Sequence, residues 1–367
     1  MNILFTVNHL NIGGISSYIL TLASGLREKG HNVFIASSGG ELLTKFNKLG
    51  AVYIPIPIRT KNELSPKIFL SAFKLKRVIK DNKIEILHSQ SRTTQVLGCL
   101  LHKLTGIKHI TTCHGFFKRR FSRKVLPCWG EKIIAISEQV EKHLTGDFRV
   151  NPGRIILINN GIDTDRFAPV ASSQKQESKF RLGFKSGPVI GILARLSDVK
   201  GHKYLIEAMK IVLVFSPDAK LLIAGEGRME KELKRLAKSL NISESVFFVP
   251  EALDTKEVLS AIDIFVMPSL KEGLGLALME AMSSGLPVIG SAVGGIKTLI
   301  KDGENGLLVN PGDSAAIAKA IIDLLSDSDK AKRLGADARK FITEKFSQEK
   351  MVLETEELYL KCLRKKE

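Results

Sequence analysis

Residues 262–295 pass from one short apolar segment, through a glycine-spaced loop and a helix, into another, and this order leaves little choice of fold. Ile262-Asp263-Ile264-Phe265-Val266-Met267 reads as a buried strand. Pro268 to Leu276 follow as a loop, a helix carries Glu280, and a second strand is expected over 287–289. Strands joined through a helix pair in parallel, and parallel sheets carry helices on both faces. The loop and helix N-terminus present free N–H groups and the positive end of a helix dipole, a seat for phosphate or a polar sugar. Glu272 and Glu280 bracket the glycines of that seat.

The same alternation runs along the whole chain. Strands are expected over 3–7, 32–37, 84–88, 107–113, 132–137 and 155–158, with helices between them, and again over 188–193, 221–224, 246–249 and 264–267. At 367 residues the chain exceeds what one core usually serves. It therefore reads as α/β, with two Rossmann-like domains, 1–170 and 171–347, facing one cleft. Ser172 to Lys179 are polar and aperiodic, a plausible linker. The amphipathic segment 348–367 is expected to cross back onto the first domain.

Chemistry-bearing residues fall at expected strand ends. Gly13-Gly14 follows the first strand, where a ligand can approach the backbone, although the spacing of a dinucleotide fingerprint is absent. His114-Gly115 follows the strand ending at Cys113. Arg195 and Lys200-Gly201 lie on the loop after the first strand of the second domain, where the pair could clamp a diphosphate, Arg as a fork and Lys as a point charge.

Charge is unevenly placed. Residues 1–170 hold 25 Lys and Arg against 11 Asp and Glu, and the remainder 30 against 27, so the first half carries most of the +17. Two stretches concentrate it. Residues 66–80 place Ile68, Phe69, Ala72, Phe73, Leu75 and Ile79 at helical spacing among Lys67, Lys74, Lys76, Arg77 and Lys80, which suits either an anionic membrane or an ordinary surface helix. Phe116-Phe117-Lys118-Arg119-Arg120-Phe121-Ser122-Arg123-Lys124 mixes aromatics and cations, as an interface with anionic headgroups or an anionic acceptor would. Basic charge also suits nucleic acid, but no helix-turn-helix, RNP-type or zinc pattern accompanies it. Cys99, Cys113, Cys128 and Cys362 are widely spaced, form no metal-ligand pattern and read as reduced and structural. With no signal-peptide pattern and no membrane-spanning run, a cytoplasmic protein is expected, peripheral on the inner membrane face if its basic surface docks there.

The ordered set of Gly13-Gly14, His114-Gly115, Asn160-Gly161-Ile162-Asp163, Arg195 with Lys200-Gly201, Glu272 to Glu280, Gly285-Leu286-Pro287-Val288-Ile289, Gly294-Gly295 and Asp302-Gly303-Glu304-Asn305-Gly306 resembles family 4 glycosyltransferases of the GT-B architecture, along nearly the whole chain. The resemblance implies transfer of a sugar from a UDP-, GDP- or ADP-linked donor, with retention and without an essential metal or other cofactor, to a glycan or lipid-linked acceptor in surface polysaccharide or lipopolysaccharide synthesis. It implies that Glu272 reaches toward the donor sugar, that Glu280 accepts from ribose hydroxyls, and that the N–H groups of Gly273, Leu274, Gly275 and Leu276 meet sugar and phosphate. His114 would lie near the donor sugar, Gly14 would offer backbone room, Arg195 and Lys200 would hold the diphosphate, and Lys118, Arg119, Arg120, Arg123 and Lys124 would face acceptor or membrane. Three positions depart from the family pattern: Ala194 for a common glycine, Leu274 for a frequent aromatic, and Thr298 for a frequent glutamate. A nucleotide-sugar epimerase on the same fold is the alternative enzyme, and a non-catalytic anionic-polymer binder the alternative class.

Overall fold

The computed structural model describes all residues except 118–122, 124–125, 251–253 and 365–367. Lys118, Arg119, Arg120 and Lys124 therefore lie outside the described residues. The chain forms two compact units, Met1–Gly161 with the C-terminal helix Gln348–Arg364, and Ile162–Ser347.

The first unit is a seven-stranded sheet of β1 (Asn2–Thr6), β2 (Asn32–Ser37), β3 (Val52–Pro55), β4 (Ile86–Ser89), β5 (Lys108–Cys113), β6 (Lys132–Ala135) and β7 (Ile155–Leu157), in the spatial order β3-β2-β1-β4-β5-β6-β7. The second is a six-stranded sheet of β8 (Val189–Leu193), β9 (Lys220–Ala224), β10 (Val246–Val249), β11 (Ile264–Met267), β12 (Val288–Ser291) and β13 (Leu307–Val309), in the order β10-β9-β8-β11-β12-β13. Neighbouring strands pair in parallel, as at Phe265 with Val288 and Ile190 with Leu221. Both orders reverse direction after the first strand of the unit, so the switch points lie between β1 and β4 and between β8 and β11. Ligands bind outside the carboxyl ends of strands at such points.

The apolar runs are continuous because helices cover both faces: every residue of β8 and β11 is buried. Helix Gln348–Arg364 completes the first core with Met351, Val352, Leu358, Tyr359 and Cys362. It crosses helix Gly14–Glu28 at Gly25, where an added Cβ would lie 2.5 Å from Val352 Cγ2, so the helices meet there without side-chain clearance.

Two features of the second unit correct the sequence reading. Residues 162–170, expected in the first domain, belong to the second unit: Ile162 N–H donates to Phe346 O at 2.9 Å, and Arg339 donates to the carbonyls of Thr164, Phe167 and Ser283. The expected linker is a helix, Ser172–Arg181. Its polar composition hides what holds it. Lys175 and Lys179 both reach Asp263, at 2.8 and 2.6 Å, and Asp263 also accepts the Val189 N–H that opens β8.

Candidate active site

In the second unit the site is built from loops at the carboxyl ends of β8, β9, β11 and β12. Residues 194–201 leave β8 and 268–275 leave β11. They are tied by the Leu270 N–H to the Val199 carbonyl at 2.8 Å, and Lys200 Nζ lies 2.5 Å from Glu272 Oε2. The Ser269 hydroxyl also donates to that carboxylate oxygen, at 3.4 Å. Two glycines explain how close these loops come. Gly201 has φ +72°, and a Cβ there would sit 1.9 Å from the Pro268 carbonyl oxygen; at Gly294, φ +42°, a Cβ would meet the Glu272 carbonyl oxygen at 2.0 Å. Gly295 leaves no room beside Gly273 O, 2.2 Å from its would-be Cβ, and its N–H donates to Glu272 O at 3.2 Å. The β12 loop thus buttresses the Glu272 loop through backbone alone.

The remaining donor-side residues share this neighbourhood. Gly275, in the left-handed region, starts helix Leu276–Ser283 with no side-chain cap, which leaves its first N–H groups for other acceptors. Leu274 is buried, so only its backbone is available to a ligand. Arg195 is exposed, and its guanidinium makes no ion pair or hydrogen bond to the described residues. The turn Gly225-Glu226-Gly227 after β9 supports its loop, with Leu196 N–H donating to Glu226 O at 2.9 Å. Glu280, inside the helix, is half-buried; burial pushes its carboxyl up to about 7, against the pull of the Arg166 guanidinium and with the help of Asp254. Arg166 and Asp254 pair with each other at 2.8 Å.

In the first unit Gly14 and His114 come together through Tyr18, which no sequence signal singled out. Gly14 opens helix Gly14–Glu28 and Tyr18 lies one turn along it, its ring edge-on to His114 at 4.8 Å between centroids. His114 Nε2 lies 2.8 Å from Oε1 of Gln90, the residue after β4. Burial drives the His114 pKa down to about 3, so the ring is neutral in ordinary buffers. Gln90 was equally open to discovery, because it leaves its strand at the same sheet edge as His114. Behind them a buried polar chain runs from Tyr18 OH to Thr112 Oγ1 (3.4 Å), on to His88 Nε2 (2.7 Å), and from His88 Nδ1 to Tyr359 OH (2.7 Å).

The basic segments divide. Arg123, expected at an anionic surface, is buried: its guanidinium lies 4.2 Å from the centroid of Phe117 and 5.5 and 5.8 Å from those of Trp129 and Phe148. Its flat cation packs on aromatic faces. Helix Pro66–Asp81 does the reverse. Ile68, Ala72, Leu75 and Ile79 face the core, whereas Phe69, Leu70 and Phe73, at 50, 61 and 75% exposure, point out among exposed Lys67, Lys74, Lys76, Arg77 and Lys80. Leu64 adds a fourth exposed apolar side chain just before the helix. Among the described residues no helix is long and apolar enough to cross a membrane, and no cluster of three or more His, Cys, Asp or Glu could hold a metal ion.

Comparison with known proteins follows the two-unit division. Residues 12–166 match the family described as Glycosyltransferase Family 4, and residues 174–341 match Glycosyl transferases group 1. The chain is 36% identical, over 93% of its length and 92% of the relative's, to a GDP-mannose-dependent monoacylated alpha-(1-6)-phosphatidylinositol monomannoside mannosyltransferase of Corynebacterium glutamicum. It is 29% identical, over 74% of each chain, to a UDP-Gal:alpha-D-GlcNAc-diphosphoundecaprenol alpha-1,3-galactosyltransferase of Escherichia coli. Its fold matches the crystal structure of a glycosyltransferase from Rickettsia africae with a TM-score of 0.87, at 25% identity and 99% coverage of both chains.

Proposed function

The chain belongs to the glycosyltransferases, with a family 4 amino-terminal domain and a group 1 carboxyl-terminal domain on the GT-B fold, and we propose that it transfers a sugar from a nucleoside diphosphate donor, with retention, to a lipid-linked glycan. The observation that carries this reading is the Lys200–Glu272 pair at the second switch point, held by loops that meet backbone to backbone. In the proposed reaction Arg195 and Lys200 take the diphosphate. The Lys200 ammonium has three donors, enough to keep Glu272 and reach a phosphate oxygen. As the bond from the anomeric carbon to the diphosphate breaks, charge grows on the leaving oxygens, and the two cations stabilise it without recourse to a divalent ion. Glu272 faces the sugar, the N–H groups of Gly273 to Leu276 meet sugar and phosphate, and Glu280 accepts from the ribose hydroxyls. The acceptor hydroxyl attacks from the face the diphosphate leaves, and its proton passes to the departing phosphate oxygen.

A lipid-linked acceptor is supported by the names of two relatives, one acting on a diphosphoundecaprenol and one on a phosphatidylinositol mannoside. It is supported also by helix Pro66–Asp81, whose exposed aromatics ringed by cations suit the headgroup layer of an anionic membrane. The test is direct. A thermal-shift screen against UDP-, GDP- and ADP-sugars identifies the donor, a ligand at 100 times its Kd stabilising by about 2.7 kcal/mol. K200A and E272A should then lose transfer while keeping the circular dichroism of the parent. Full activity in either variant would remove the site, and isomerised donor formed with no acceptor present would replace transfer by epimerisation.

A further inference from the structure

Helix Arg92–Thr105 follows β4 and lies hard against β5: at Gly98 an added Cβ would sit 2.1 Å from His109 Nε2, so no side chain of the helix separates them there. Its first residue grips the chain that leads into β6. Arg92 donates to the Leu126 and Pro127 carbonyls at 2.6 and 3.0 Å while pairing with Glu63 at 2.7 Å. Directly after those carbonyls comes Cys128, held at a left-handed φ of +49° that residues with a side chain rarely adopt. Cys99 stands two turns along the helix from Arg92, on the same face. The Cys128 thiol meets it, and the two are hydrogen-bonded. Both cysteines are half-buried and line one cavity of about 440 Å³, beside His109, Glu131 and Arg154 where the chain enters β5, β6 and β7. Burial, with the Cys99 thiol adding to it, pushes the Cys128 thiol up to about 12 against the pull of Arg92 and Lys103. A thiolate so disfavoured gives the reduced pair none of the stabilisation that makes some dithiols strong oxidants once closed.

We propose that Cys99 and Cys128 form a reversible disulfide site that draws its oxidising equivalents from low-molecular-weight disulfides, and that closing it clamps the chain entering β6 to helix Arg92–Thr105. One cysteine attacks the external disulfide as a thiolate, forms a mixed disulfide and expels a small thiolate; the other then attacks the mixed bond and expels the second. Two protein thiols give up two protons and two electrons, and one external disulfide becomes two thiols. The second step is intramolecular between groups already in contact, so the mixed disulfide does not accumulate. Cys113 and Cys362 are buried in the first unit and stay reduced. The site does not depend on the reading of sugar transfer.

The test equilibrates full-length protein with mixtures of reduced and oxidised glutathione at mildly alkaline pH, quenches it in acid, alkylates the free thiols and digests the chain. A peptide pair joined through Cys99 and Cys128, about 2 Da lighter than its two reduced parts together, should appear in monomeric protein and vanish with dithiothreitol. The oxidised protein should also unfold at a higher temperature than the reduced one, because the link closes a loop of about thirty residues in the unfolded chain. C99S and C128S should each lose that rise and carry at most a glutathione adduct on the cysteine that remains. Thiols that stay free in excess oxidised glutathione, glutathione adducts that accumulate on Cys99 or Cys128 of the parent, or a disulfide joining two chains would each overturn the site. A closed disulfide with no rise in unfolding temperature overturns the clamp.

Discussion

Glu280 carries its own pH dependence. Burial raises its carboxyl to about 7, so the folded protein holds a proton there that the unfolded chain releases near the ordinary carboxylate value. Stability from that protonation is complete below the unfolded value and is lost as pH rises through about 7, amounting to roughly 2–3 kcal/mol. E280Q keeps the neutral form, so its denaturation midpoint should overtake that of the parent as pH climbs from 5 to 8. If Glu280 binds ribose as a carboxylate, nucleotide affinity in the parent should strengthen over the same rise, and E280Q should flatten it in calorimetric titrations. At the neighbouring glycines the strain is of two kinds. G201A meets both a left-handed φ and a carbonyl 1.9 Å from its Cβ, and should cost more than about 2 kcal/mol in urea unfolding. G295A, at φ −67°, has no left-handed strain and meets only the backbone of Gly273 and Leu274, so it isolates the steric effect; it should weaken donor binding by shifting the Glu272 loop.

At the scale of elements, helix Pro66–Asp81 and helix Ser172–Arg181 show how pattern and environment part company. Apolar residues at helical spacing placed the first correctly as a helix, but the pattern did not separate the residues that face the core from Phe69 and Phe73, which the structure turns outward. F69E/F73E should therefore leave stability within about 0.5 kcal/mol, as exposed substitutions do, while abolishing flotation with vesicles of anionic lipid. Retained flotation would move the membrane contact elsewhere. Helix Ser172–Arg181 was invisible as a helix because its apolar face is nearly absent. Two lysines converging on Asp263 replace it. Burial opposes charge on Asp263, but Lys175, Lys179 and the Val189 N–H outweigh that and hold its pKa below the usual carboxylate value. The stability so gained is present above the unfolded pKa and lost as pH falls through the folded one, so acid should release this helix. D263N should reproduce the release at neutral pH, with a loss of about 1–3 kcal/mol in urea denaturation.

Across the whole molecule the two units repeat one solution: parallel strands, a reversal of strand order, and loops with glycines and charged or hydrogen-bonding side chains at the reversal. The chain passes from one unit to the other after Gly161 and returns after Ser347 to finish the first core with its last helix. Y359F tests that return, because it strands His88 Nδ1 in the core; unfolding should become easier by about 1–3 kcal/mol, and the Tyr18 that backs His114 should loosen with it. Most of the fold was readable from the chain alone, since strand, glycine loop and helix are local patterns enforced by backbone geometry and by burial on both sheet faces. So were the positions of His114, directly after β5, and of Lys200 and Glu272, on the loops that leave β8 and β11. Gln90, Tyr18 and the buried Arg123 were not, because their roles come from residues brought near by the sheet order: β4 beside β5, helix Gly14–Glu28 against His114, and Phe117, Trp129 and Phe148 around one guanidinium. The sequence by itself determined the alternation, the number of sheets and the glycines that let loops touch. Only the tertiary structure decided which side chains meet, because contact between distant segments depends on strand order and packing that no local pattern encodes.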